Sequence, residues 1–406
     1  MPQLPAEIRA LLGAPALQRL RAAARRADQP TLHEQLEIAS IAAPPFAEGP
    51  RGEHVLRRFR EIGLSGAHAD ELGNVIGTVP AANGADEAPV VIAAHLDTVF
   101  AAGTDVTPQR RGARIYAPGI TDNSRGVAGM LAVARLLVES GVRGRRPVVF
   151  VGTVGEEGSG DLRGVKHLFR EGSPCRAADA FIALDGSGLR RIVHRAIGSR
   201  RLRIEVEGPG GHSWADRGAP NPIVALASAT AEIATLALPH PGRTSLTVAR
   251  IGGGTSINAI PDAAWMEIDM RAEVPGALAE MEAAARGVLT RVVEEENAGR
   301  RPGTDPLAAK VTVIGDRPSG ETPARAALVR AAAAITSGLG ARPELVGSST
   351  DANVPMALGI PSIAIGVGGD SGGIHTLEEW YADENGGLGV ERALLIVLAA
   401  AEVRTG

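Results

Sequence analysis

Five residues with metal-ligand side chains stand out along the 406-residue chain: His95, Asp122, Glu157, Asp185 and His375. Imidazole nitrogen and carboxylate oxygen are what zinc takes from proteins. Two ions held roughly 3.5–4 Å apart share a bridging ligand and a bridging water. Five groups meet that need, with two terminal ligands for each ion and one shared carboxylate. A water held in this way also needs a carboxylate that is not a ligand to take its proton, and Glu156 stands beside Glu157. Asp97 follows His95 by two residues. Metal-bound histidines usually donate their other ring proton to a carboxylate or carbonyl, so Asp97 is the candidate orienting group.

Taken singly, each residue has a plainer reading. Asp122-Asn123-Ser124 ahead of an apolar stretch reads as a helix N-cap. His95-Leu96-Asp97 and Asp185-Gly186 read as turns, and His375 sits in a glycine-rich loop. His212, in Gly208-Pro209-Gly210-Gly211-His212-Ser213, reads as an incidental histidine of a glycine turn, and Arg271, beside Glu267 and Asp269, as half of a surface ion pair. The metal reading rests on the joint pattern. His33-Glu34 lacks the second histidine of a zinc helix, and neither Lys166 nor Lys310 has a phosphate-loop setting. Gly369-Asp370-Ser371-Gly372-Gly373 matches G-x-S-x-G in form, which keeps a serine hydrolase as a third option. A nucleophile elbow needs a helix directly after its serine, however, and here two glycines follow.

The elements that must position these groups are legible in the hydrophobic pattern. Val90-Val91-Ile92-Ala93-Ala94 runs into His95, Val148-Val149-Phe150-Val151 leads towards Glu156-Glu157, and Ala180-Phe181-Ile182-Ala183-Leu184 runs into Asp185. Short apolar runs separated by longer segments predict a mostly parallel sheet with helices on both faces, and such sheets bind ligands beyond the carboxyl ends of their strands. Helices are predicted over 1–30 with a break at proline, and over 52–63, 127–138, 323–338 and 388–402. Thr31 with Glu34 reads as a capping box. Between 198 and 314 the pattern changes. Leu202, Ile204 and Val206 alternate with charged neighbours, and strands and helices follow in the order β-α-β-β-α-β of a ferredoxin-like domain. The expected organisation is a discontinuous catalytic domain, 1–197 and 315–406, interrupted by an inserted α+β domain, 198–314.

Composition narrows the class. At 44% hydrophobic and 22% charged, with a net charge of −4, the chain is globular and gives no electrostatic reason to expect nucleic acid. Cys175, the single cysteine, excludes an internal disulfide and a cysteine-based zinc cluster. No apolar run approaches the roughly 20 residues of a membrane span, and the first residues lack a signal-peptide core. The expectation is a cytoplasmic enzyme.

With these residues in hand, the chain resembles the M20 family of zinc metallopeptidases, from Glu71-Leu72-Gly73-Asn74-Val75 to His375-Thr376. Supporting matches are Gly210-Gly211-His212-Ser213, Ile257-Asn258-Ala259-Ile260-Pro261 and Asp269-Met270-Arg271. Ser349-Thr350-Asp351-Ala352-Asn353 and Glu379-Trp380 are most similar to the peptidase T-like branch. The resemblance implies that His95 and Asp185 hold one zinc, Glu157 and His375 the other, and Asp122 both; cobalt or manganese suits the same donors. It implies that Asp97 orients His95, that Glu156 is the general base, that His212 polarises the substrate carbonyl, and that Asn258 and Arg271 bind the substrate's carboxylate end. It further implies that 198–314 is a lid and dimerisation domain, that the protein is a homodimer, that His212 serves the partner's site, and that the Asp122–Asn123 peptide is cis. Asn123 stands where many members carry a second acidic residue. The implied substrates are di- and tripeptides. An N-acyl amino-acid amidohydrolase or carboxypeptidase is the alternative, and a non-catalytic metal-dependent binding protein is disfavoured by Glu156.

Overall fold

The computed structural model describes residues 6–84 and 87–403, apart from the side chains of residues 6, 7 and 16. The start of the predicted 1–30 helix lies outside them. The chain divides into two compact units, one running to Ala196 and resuming at Glu321, the other Ile197–Gly320.

The first unit is built on a sheet with strands β1 (Ser65–Ala69), β2 (Val75–Val79), β3 (Val90–His95), β4 (Val148–Thr153), β5 (Ala180–Leu184), β6 (Arg191–Ala196), β7 (Glu344–Ser348) and β8 (Ser362–Ile365). Their order is β1-β2-β4-β3-β5-β8-β6, with β7 paired to β6. The central strands β4, β3, β5 and β8 run parallel, and β1 and β2 are antiparallel at one side. All of β3, β5 and β8 is buried, which explains their unbroken apolar sequence: each is covered on both faces. Alternation sorts the side chains. Val90, Ile92 and Ala94 of β3 join one core with Val127 and Leu131 of the helix Ser124–Ser140 and Leu394 of the helix Gly386–Ala400. Val91 and Ala93 join the opposite core with Val165, Leu168 and Phe181. His95 ends β3, and Glu156, Glu157 and Asp185 lie just beyond the carboxyl ends of β4 and β5.

The 52–63 helix begins earlier, at Gly49, with Pro50 in its first turn, and ends at Gly63 in the left-handed region (φ 91°). Thr31 does not cap a helix. It lies inside the helix Asp28–Ala39, where its hydroxyl donates to Ala27 O at 2.6 Å. Glu34 turns instead to Arg58 and His54, at 2.6 and 3.1 Å.

The second unit is a four-stranded antiparallel sheet in the order Thr244–Gly253, Ala263–Ala272, Gly198–Glu207, Ala308–Arg317. Its strands and the helices Pro222–Ile233 and Ala277–Ala298 follow in β-α-β-β-α-β order. Leu202, Ile204 and Val206 close a separate core with Met266, Ile268, Leu226 and Leu289. The unit ends at Gly320 rather than 314, because the last strand passes an irregularity between Val313 and Gly315 and continues to Arg317.

Candidate metal centre

The five ligand-type residues converge within the first unit. His95, Asp122 and Asp185 each offer an atom within 4.8 Å of the others', and so do Asp122, Glu157 and His375. Asp122 belongs to both groups. Its Oδ1 lies 3.0 Å from His95 Nε2, and its Oδ2 lies 3.1 Å from His375 Nε2, which is also 2.9 Å from Glu157 Oε1. The Asp122–Asn123 peptide is cis.

Asn123, not Asp122, is the N-cap of the helix Ser124–Ser140. Its Oδ1 accepts from Gly126 N and Gly186 N, both at 3.1 Å, and its amide donates to Leu184 O at 2.8 Å. The Asp-Asn-Ser signal therefore serves two purposes: the cap is one residue later, and the aspartate is left to the cluster.

His95 is oriented through its own loop. Its Nδ1 lies 3.1 Å from the main-chain oxygen of Asp97, and 3.6 Å from that residue's Oδ1. A carbonyl only accepts, so Nδ1 carries a proton, and Nε2 is the nitrogen turned to Asp122. The Asp97 carboxylate accepts from the backbone of Glu156 at 2.9 Å and Glu157 at 2.7 Å, tying the two ligand loops together. Glu156 is buried, with an atom within 4.8 Å of both His95 and Glu157.

These groups fit a pair of cations. Asp122 Oδ1 is buried and lies 3.0 Å from His95 Nε2, so a carboxylate oxygen and an imidazole nitrogen, both ligand types, meet there. A cation bound there would replace the imidazole proton that otherwise lies between them. Burial, followed by the charge of Asp122, pushes the Asp185 carboxyl up to about 7. Hydrogen bonds to Asp122 and Glu157 push the His375 imidazole up to about 10. Burial works to raise Asp122, but the imidazoles of His375 and His95 outweigh it and hold the carboxyl well below the usual range. The cluster thus attracts cations, and Asp185 resists ionising without one.

Other predicted site residues lie in the inserted unit. His212 and Asn258 are neighbours: the 211–212 strand pairs with 259–260, and Ser213 N donates to Asn258 O at 3.0 Å. All three side chains are exposed, Arg271's guanidinium meeting Asp269 at 2.8 Å. Arg271 pairs in register with Ser199, whereas Glu207, just before the His212 loop, pairs with Ala263. At about 3.3 Å per residue, Arg271 sits roughly 25 Å along the sheet from that loop. The G-x-S-x-G match forms no elbow. Ser371 lies in the strand Asp370–Gly372, and its hydroxyl meets that of Ser187 at 2.7 Å. Sequence reasoning gave no structural role to Glu379 or Arg51, both fully buried. Glu379 was visible only as part of a motif match, and Arg51 gave no signal.

Imidazoles and carboxylates gather at the carboxyl end of a parallel sheet as a candidate metal site. The model of peptidase family M20/M25/M40 matches residues 91–399, and the chain belongs to that family. No curated protein matches the sequence. Among solved structures, aminopeptidase PepT from Bacillus cereus is similar with a TM-score of 0.73 and 24% identity, over 92% of this chain and 99% of that one. A tripeptidase from Staphylococcus aureus gives the same score and identity, over 92% and 98%. The Bacillus subtilis YXEP protein, described as a dinuclear metal-binding peptidase, is 17% identical with a TM-score of 0.65, over 91% and 97%. At these identities the likeness is one of fold. Among the described residues no helix is long and apolar enough to cross a membrane.

Proposed function

We propose that the protein is a two-zinc peptidase of the cytoplasm that hydrolyses di- and tripeptides. The observation that carries this is Asp122, whose two oxygens face His95 and His375 on opposite sides, with Glu156 beside the cluster. His95 and Asp185 would hold one ion, Glu157 and His375 the other, and Asp122 both. When bound, the ions polarise the scissile carbonyl and acidify water. Glu156 takes the proton of the attacking water as its oxygen bonds to the carbonyl carbon, then delivers it to the amine as the C–N bond breaks. Asp97 keeps Nε2 of His95 free and holds the Glu156–Glu157 loop. The small-peptide reading is supported by the aminopeptidase and tripeptidase among the similar structures.

His212 polarises the substrate carbonyl in this reading, and Asn258 and Arg271 hold the carboxylate end. A substrate of two or three residues does not span the roughly 25 Å of sheet between the His212–Asn258 loops and Arg271. The groups that meet one substrate therefore come from two chains, which supports a homodimer joined through the inserted domain. A panel of free tripeptides against N-acyl amino acids tests the proposal. Turnover of free tripeptides is expected; turnover of N-blocked substrates alone would replace it with an amidohydrolase.

A further inference from the structure

Outside the metal cluster, Glu379 is a buried carboxylate that no step of the proposed chemistry uses. Its side chain is fully buried. Oε1 accepts from Thr121 N at 2.8 Å and from Asp122 N at 3.0 Å, and Oε2 accepts from Gly119 N at 3.1 Å. Three backbone amides converging on one carboxylate fix the path of the loop that carries Asp122. Glu379 is itself fixed: its N donates to Thr376 O, its carbonyl accepts from Ala117 N, and the strand Trp380–Ala382 that follows pairs antiparallel with Arg114–Tyr116.

The arrangement repeats that of Asp97. Two residues beyond the ligand His95, Asp97 accepts from the amides of the Glu156–Glu157 loop. Four residues beyond the ligand His375, Glu379 accepts from the amides of the Asp122 loop. Each histidine segment therefore carries one ligand and one buried carboxylate that clamps a different ligand's loop. Arg51 lies within the field of both carboxylates. It is fully buried and donates to Ile41 O and Leu96 O; burial pulls its pKa down to about 10, and the charges of Asp97 and Glu379 oppose that fall.

We infer that Glu379 is a positioning residue for the metal pair: by holding the backbone of residues 119–122 it sets Asp122 where one carboxylate reaches both His95 and His375. The inference rests on the two-metal reading. It concerns metal affinity, not contact with substrate, and groups supporting ligands in this way are worth about 10- to 100-fold in affinity.

The test titrates metal-stripped, full-length protein with cobalt(II), following its visible absorption. Wild-type protein is expected to bind cobalt at Asp122, and Glu379→Gln to bind about 10- to 100-fold more weakly, because an amide nitrogen replaces one acceptor oxygen. Glu379→Asp, which keeps the charge, should recover part of the loss. Combined with Asp122→Asn, the Glu379→Gln change should add little, since it acts through Asp122. Unchanged cobalt affinity in a folded Glu379→Gln protein overturns the inference, as do fully additive losses. If neither variant folds, Glu379 is a folding residue and the inference is likewise overturned. Wild-type protein that takes up no cobalt overturns the metal reading itself, a result distinct from wild-type uptake matched by an unchanged variant.

Discussion

Glu156 and Glu157 are adjacent and chemically identical, yet their surroundings differ. Glu157 meets His375 and shares a ligand group with Asp122, while Glu156 approaches His95 and Glu157 without joining Asp122. Glu156→Gln is expected to retain its metals by elemental analysis and to lose at least about 100-fold in kcat, the usual worth of a general base. Retained turnover would remove the assignment. Glu34 shows the same dependence on surroundings far from the chemistry. Burial raises its carboxyl, but the hydrogen bonds from His54 and Arg58 prevail and hold it at about 2. A pKa lowered on folding contributes stability above the unfolded value, and that contribution disappears as pH falls from about 4.5 towards 2. Urea denaturation across that window should show wild-type stability dropping more steeply than that of Glu34→Gln. Parallel curves would contradict the pairing.

At the scale of elements, Asn123 ties β5 to the helix Ser124–Ser140 by hydrogen bonds. It caps the helix through Gly126 N and holds Leu184 O and Gly186 N, next to the ligand Asp185. Asn123→Ala removes the cap and leaves these buried backbone groups without their partner. A cap alone is worth roughly 1 kcal/mol, and each unsatisfied buried group roughly 1–3 kcal/mol. Chemical denaturation of metal-free protein should therefore show a loss of at least about 1 kcal/mol. A loss indistinguishable from zero would mean the cap is dispensable.

For the whole molecule, the decisive question is assembly. The inserted unit closes its own core and presents the long edge strands Thr244–Gly253 and Ala308–Arg317. Unpaired backbone at such an edge invites pairing with a second copy. If His212 acts in the partner's site, His212→Ala and Glu156→Ala, each inactive alone, should recover activity when mixed and allowed to exchange subunits. No recovery after demonstrated exchange would return His212 to its own chain's site or remove it from catalysis. Chelation should abolish turnover, and zinc, cobalt or manganese should restore it. Chelator-resistant turnover, blocked by a serine-directed reagent, would point back to Ser371.

How far the sequence reaches follows from what is local. The apolar runs of β3, β4 and β5 announced a mostly parallel sheet with helices on both faces, because burial needs side chains of one kind wherever they end up. Alternation in 201–206 announced a half-exposed strand for the same reason. The five ligand-type residues, and Asp97 and Glu156 beside them, were legible because metal chemistry restricts the residue types that can serve. Contacts between distant segments were not legible. Thr31 and Glu34 had the spacing of a capping box, but Arg58 and His54 claim Glu34, and the helix begins before both. Glu379 becomes meaningful only when the chain brings it to the amides of Gly119, Thr121 and Asp122. Arg51 becomes meaningful only when two carboxylates lie within its field. Residue types and their local spacing are written in the sequence, whereas a hydrogen bond between segments hundreds of residues apart exists only once tertiary packing closes the distance and excludes the water that would otherwise compete for it.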